Sequence, residues 1–259
     1  MTPEQLSEAG LRLEVDGAIA TVSLQKPESR NSQTPAMWRA LAGIGAGLSD
    51  DVRVVVVRGD GPSFSAGLDR AMLDPAETGQ ETVAGLLAMD DAGISATVGD
   101  FQRGFTWLRD PRFVSIAAVQ GYAIGAGFQL ALSCDLRVLA DDAQLCMKES
   151  ALGLVPDLTG TKPLVESVGY ARALEICATA RMVGAAEAAE IGLALAVVPA
   201  AELDGTVADL AAALTAAPAG AVRETKALLL GAGSRGLDEQ RRLEREAQVR
   251  RFRELAGGH

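Results

Sequence analysis

The sequence predicts an α/β protein that ends in a helical region, and three observations carry that expectation. Runs of β-branched and small apolar residues such as "RVVVVRG" and "FVSIAAVQG" show no polar alternation, as expected of strands covered on both faces. Between them lie stretches with helical spacing, so strands and helices alternate rather than segregate. From residue 201 onward only amphipathic helical patterns remain. With 259 residues, 48% of them apolar, the chain can build a sizeable core.

The elements follow in order. "RLEVDGAIATVSL" alternates on either side of Asp16-Gly17 and reads as a hairpin. Thr34 and Pro35 open a helix over "AMWRALAGIGAGL", one as N-cap and the other at the first helical position. The two buried strands come next, separated by residues 73–105, whose Gly, Ala and Asp content predicts a mobile flap. "FQLALSC" reads as a short helix, and "LRVLA" and "AQLCM" as strands. "KPLVESVG", "YARALEICATA" and "GAAEAAEIG" then read as helices, followed by a last strand in "LALAVVP". Residues 1–200 are expected to hold the core and the site, and 201–259 a C-terminal helical region. Leu237, Leu243, Val249 and Phe252 in its last helix pack either on this domain or between subunits.

Composition excludes several function classes. A net charge of −10, with basic residues dispersed, argues against nucleic acid as a partner. In "RRLEREAQVRRFRE" the charges alternate at helical spacing, the mark of a solvated or subunit-facing helix. "MTPEQLSEAG" fits neither a secretory signal nor a transit peptide, so a cytoplasmic location is expected. Residues 114–134 are long and uncharged, but their glycines, serines and glutamines make a poor lipid-facing helix. Cys134, Cys146 and Cys177 are expected as free thiols. The one histidine is His259, which removes histidine-based triads and metal sites. Proton transfer falls to carboxylates or to a perturbed Lys, Tyr or Cys, with no metal or redox cofactor expected.

Two turns of small residues each follow a buried strand: "SFSAGLDR" at 63–70 and "AIGAGFQ" at 123–129. Such turns let a backbone approach a ligand closely, and the second opens a helix whose free N–H groups favour a negative oxygen. A dinucleotide fingerprint fails, because Leu130 stands where the third glycine belongs. Together, "SFSAGLD" and "GYAIGAGFQLALSCDLRVLADDAQLCMKESALGLVPD" make the chain resemble the crotonase superfamily of enoyl-CoA hydratases and isomerases over nearly its whole length. The resemblance implies a ClpP/crotonase-like spiral of ββα units, a C-terminal helical part that builds trimers or pairs of trimers, and acyl-CoA thioester substrates. It also implies an oxyanion hole from the N–H groups of Leu68 and Ala126. The adenine end of coenzyme A would lie at Ala66 and Asp69, with Arg30 near the phosphates, and Gly67, Gly125 and Gly127 forming the surrounding cradle. Coenzyme A is then part of the substrate, not a cofactor.

In the hydratases that this chain resembles, two glutamates share the proton work. Glu149, in "MKES", matches the second, but Gln129 stands at the first. An amide has no basic lone pair near neutral pH and is left to orient water, or to serve as a plain helix residue. One carboxylate suffices to shift a double bond, so an enoyl-CoA isomerase with Glu149 as acid/base is the first expectation. Hydration of a 2-enoyl-CoA is the nearest alternative. Asp157, eight residues after Glu149, resembles the partner acid of dienoyl-CoA isomerases, or else caps the turn before "TGTKPL". A non-catalytic acyl-CoA binder is a second class, and an oligomeric scaffold a third, disfavoured because packing alone gives little reason for both glycine turns. Met89, Phe101, Phe105 and Trp107 either line the acyl pocket or pack as core.

Overall fold

In the computed structural model, residues 1–74 and 82–257 are described. Helix α1 (Pro3–Glu8) is capped by Thr2, and β1 (Leu11–Asp16) and β2 (Ile19–Leu24) form the hairpin anticipated around Asp16-Gly17. Thr34 accepts from the Met37 N–H and Pro35 opens α2 (Pro35–Gly47), as the sequence requires. After β3 (Val54–Gly59) come α3 (Val83–Leu87) and α4 (Asp91–Thr106), then β4 (Val114–Val119), β5 (Tyr122–Ile124) and α5 (Ala126–Ser133). The middle of the chain continues through β6 (Leu136–Ala140), β7 (Gln144–Cys146), α6 (Thr161–Val168) and α7 (Tyr170–Thr179). It then runs through β8 (Val183–Gly184), α8 (Ala185–Glu190) and β9 (Ala196–Val198). The last three helices are α9 (Leu203–Ala216), α10 (Ala219–Ala232) and α11 (Leu237–Gly257).

A six-stranded sheet in the order β1-β2-β3-β4-β6-β9 forms the centre, parallel except for the β1–β2 hairpin. A second sheet, β5-β7-β8, lies beside it. The uniform valine run of β3 is explained by two cores. Val55 and Val57 join the larger core with α2, α4 and α5, whereas Val54 and Val56 face α9 through Leu203, Val207 and Ala211. The same alternation holds along β4, where Ala117 and Val119 take one side and Ile116 and Ala118 the other. Helix α9 therefore covers the sheet's second face.

The flap expected over 73–105 needs correction. Residues 75–81 lie outside the described residues, but α3 and α4 account for most of the rest, and Phe101 and Phe105 are 3% and 0% exposed. Ile94, Val98, Phe101 and Phe105 recur at helical spacing, a stripe hidden by intervening small and acidic residues. Trp38 of α2 stacks on Phe101 with ring centroids 4.9 Å apart, which locks α4 to the core. Phe105 is a core residue and the half-buried Trp107 packs against the core, while Met89 is half-buried on the connection before α4; of the four, Phe101 alone lines the main cavity.

The C-terminal region is fastened by one buried ion pair. Lys226 of α10 donates to Asp135 Oδ2 and to the carbonyls of Asp110 and Phe113, each at 2.7 Å. Its pKa is lowered because burial disfavours the ammonium, with Asp135 opposing that shift. Lys226→Met would strand the Asp135 carboxylate, so a loss of about 3 kcal/mol is expected in denaturant unfolding. Leu237, Val249 and Phe252 of α11 are exposed, and Leu243 is half-buried. All three cysteines are free thiols, two of them buried, and burial pushes Cys134 up to about 12. Among the described residues no single helix is long and apolar enough to cross a membrane. The bent pair 200–216 and 219–232 passes on length and composition alone, but the first half packs one face on the sheet through Leu203, Val207 and Ala211.

Candidate active site

The two glycine turns meet. Ser65 pairs with Ala123 in a parallel bridge, and Gly67 sits so close to the second turn that a Cβ there would stand 2.4 Å from the Ile124 carbonyl oxygen and 3.4 Å from the Ala126 nitrogen. Gly67 has φ +87° and Gly125 φ +51°, conformations that glycine adopts without strain. Gln33 accepts from the Asp69 N–H and donates to the Gly67 carbonyl, so the Leu68 N–H points to the side away from Gln33. The Ala126 N–H is the first of α5, with no intrahelical acceptor. Two unspent amide donors thus belong to adjoining backbone segments.

The first turn is held from behind by residues that sequence reasoning did not single out. Gln33 donates from Nε2 to Ser65 Oγ at 3.0 Å and accepts from the Trp38 indole at 2.8 Å. Ser65 Oγ in turn donates to the Asn31 carbonyl and accepts from the Gly67 N–H. Arg30 and Asn31 both adopt left-handed backbone, which turns the "ESRNSQ" segment under the glycine turn. The only advance signal was the density of small polar residues around it.

Glu149 follows β7 and is 9% exposed. Its Oε1 lies 3.3 Å from where a Gly125 Cβ would stand, so the carboxyl borders the second turn directly. Burial raises its pKa; Asp157 adds to the rise, and the hydrogen bond from Gln129 opposes it. Asp157 also has a raised pKa because of desolvation. The residue is exposed at the cavity, whose wall it lines. Helix α6 begins without a side-chain cap, and the Asp157 carboxyl is met by its own backbone N–H.

Gln129 is fully buried and holds no open acceptor for water: Nε2 donates to Glu149 Oε1 at 2.7 Å, and Oε1 accepts from Leu158 and Gly160. The amide is thus engaged with Glu149 and with the backbone at 158 and 160, partners that the sequence did not suggest.

A cavity of about 1040 Å³ opens over these groups. Arg30, Ala66, Gly67, Leu68, Gly125, Ala126, Gln129, Glu149 and Asp157 all line it. Two further candidates from the sequence lie off its wall. Asp69 is not on the wall; it accepts from Ser32 Oγ at 2.8 Å and caps the turn at Ala71. Gly127 is not on the wall either. It lacks a side chain because the Ser65 backbone crosses there, with the Ser65 carbonyl oxygen 2.4 Å from where a Cβ would stand. Residues missed from sequence include the cations Arg70 and Lys148, and an apolar wall of Val83, Leu86, Ile94 and Val98 from α3 and α4.

Comparison with known proteins agrees with this geometry. Residues 14–256 match the enoyl-CoA hydratase/isomerase family, and the chain belongs to that family. A crystal structure of a Thermobifida fusca YX protein, provisionally named an enoyl-CoA hydratase and in complex with CoA, is 53% identical with a TM-score of 0.93, covering 99% of this chain and 98% of that one. The same Thermobifida protein in complex with acetoacetyl-CoA is also 53% identical, with a TM-score of 0.93 and 98% of each chain covered. The fold is therefore the crotonase spiral, α/β with a C-terminal helical region. The 2,3-dehydroadipyl-CoA hydratase of Escherichia coli K12 is 31% identical over 169 residues, 64% of this chain and 60% of that protein. The chain likewise spans 64% of the length of a Rhizobium meliloti relative and 61% of a Mycobacterium bovis one, both provisionally named enoyl-CoA hydratases.

Proposed function

We propose that the protein acts on coenzyme A thioesters of unsaturated acids, with the thioester oxygen between the Leu68 and Ala126 N–H groups and Glu149 as the acid/base. The observation that carries this reading is a buried carboxyl beside Gly125, where the two glycine turns meet. Charge that develops on the carbonyl oxygen would be met by donors already in place, each contributing roughly 3 kcal/mol. In this reading Arg30, Arg70 and Lys148 attract the phosphates of coenzyme A, and Ala66 and Gly67 border its adenine end. The apolar wall from α3 and α4 receives the acyl chain.

The reaction best supported is the shift of a double bond. From a 3-enoyl-CoA, Glu149 removes a proton from C2, and the electron pair passes into the carbonyl to form a dienolate. The same carboxyl then returns the proton at C4, leaving the double bond between C2 and C3. One carboxyl is enough, and Gln129 has no free acceptor with which to activate water. Hydration is the second reading, favoured by the names of the relatives, with Asp157 on the wall to serve as a second acid.

Purified protein offered a 3-enoyl-CoA and a trans-2-enoyl-CoA separates the two. Conversion of the first is expected to dominate; fast hydration of the second, unchanged in Gln129→Ala, would end the single-carboxyl reading. We also propose a homotrimer or a dimer of trimers, supported by the exposed Leu237, Val249 and Phe252 of α11; light scattering that gives a monomer mass would refute it.

A further inference from the structure

Gln129 has one side-chain orientation open to it. Its Oε1 accepts from the Leu158 N–H at 2.9 Å and the Gly160 N–H at 3.2 Å, which fills both lone pairs. A flipped amide would turn its own N–H groups against those two donors, so Nε2 must face Glu149, and it does so at 2.7 Å from Oε1. A donor aimed at Oε1 takes up one of its two lone-pair sites and favours that oxygen as the acceptor, leaving Oε2 the freer one for a proton. Glu149 Oε2 is buried and has no hydrogen-bond partner among the described residues.

We propose that Gln129 is a positioning residue that holds Glu149 Oε1 as a permanent acceptor, so that Oε2 alone gives and takes the proton. Its second function is mechanical. The two backbone bonds at 158 and 160 tie the Glu149 carboxyl to the loop that carries Asp157, fixing both acids relative to the cavity. The inference rests on the proposed proton transfer by Glu149 and adds to it the identity of the working oxygen.

Other groups bear on the same carboxyl. Asp157 on the following loop raises its pKa, and Glu149 in turn raises the thiols of Cys146 on β7 and Cys177 on α7. The backbone N–H groups of Glu149 itself and of Lys148 lower the pKa of its carboxyl. Of these, Gln129 alone donates a side-chain hydrogen bond to the carboxylate, so its removal shifts the titration in a direction that loss of packing would not.

Two variants and one measurement on the unaltered protein test this. Gln129→Met keeps the volume and removes the donor; Gln129→Glu keeps the acceptor for Leu158 and Gly160 but sets a second carboxyl against Glu149. In the kcat/KM pH profile of each folded variant, the acid limb is expected to move upward. At a fixed pH on that limb activity relative to the plateau falls roughly tenfold, with KM little changed. Acid limbs that coincide with the unaltered protein in both variants overturn the proposal. In ¹⁵N-labelled unaltered protein, the Gln129 side-chain amide is expected to titrate, and a pH-independent amide overturns the proposal even if the variants do not fold. If the amide titrates but no enoyl-CoA is turned over, the proton-transfer reading has failed while the hydrogen-bond geometry stands; the assignment of Oε2 as the working oxygen falls with it.

Discussion

Glu149→Gln is expected to lower kcat on an enoyl-CoA by about 10²–10⁴-fold while leaving thioester binding nearly unchanged, because it removes the proton carrier and keeps its shape. Gln129 would still donate to the new amide oxygen, so the network at Leu158 and Gly160 has no reason to loosen. The same variant carries a second signature. Burial raises the Glu149 pKa in the folded state, so the native protein holds its proton more tightly than the unfolded chain does. Stability from this group is fully present below the unfolded value of about 4.5 and declines as pH rises through the folded pKa. The variant lacks that decline and should melt at a higher temperature than the parent at neutral pH, with the gap closing toward pH 4. A kcat within twofold of the parent, or a melting gap that widens in acid, would contradict the placement of this carboxyl at the reacting centre.

Gly67→Ala should be the most disruptive single methyl in the site. The residue has φ +87°, and its new Cβ would stand 2.4 Å from the Ile124 carbonyl oxygen, which is backbone and cannot swing aside. Strain and overlap together are expected to cost on the order of 3 kcal/mol, a fall in Tm of roughly 6–12 °C for a domain of this size. Relief requires the two turns to separate, which moves the Leu68 amide away from Ala126. Coenzyme A thioester affinity should fall with the melting temperature, and a variant that kept both would show that the turns need not touch. Gly47→Ala, where nothing lies within 4 Å, is the matched control.

What could be read from the chain beforehand depended on range. The hairpin at Asp16-Gly17, the Thr34-Pro35 helix start and the valine strand were legible because cap, turn and run lie within a few residues of one another. The glycine turns and Glu149 were legible as a pattern, and the cavity gathers them as expected. Helix α4 was hidden because its apolar stripe is diluted by Gly93, Gly99, Asp91 and Asp100, while what stabilises it is tertiary contact with Trp38. Gln129 could not be understood from its neighbours: the N–H groups that fix it lie 29 and 31 residues away. For Asp69 and Gly127 the motif could not show the local geometry, which gives one a capping role and the other a close backbone crossing.

Both donors proposed for the thioester oxygen are main-chain groups, at Leu68 and Ala126. Any residue but proline supplies the same group, so the side chains at 68 and 126 answer to packing rather than to the chemistry: Ala126 is buried in the core and Leu68 packs against it. Proline at 126, the first helical position, has the φ a helix start accepts but carries no N–H, so it would silence one of the two donors.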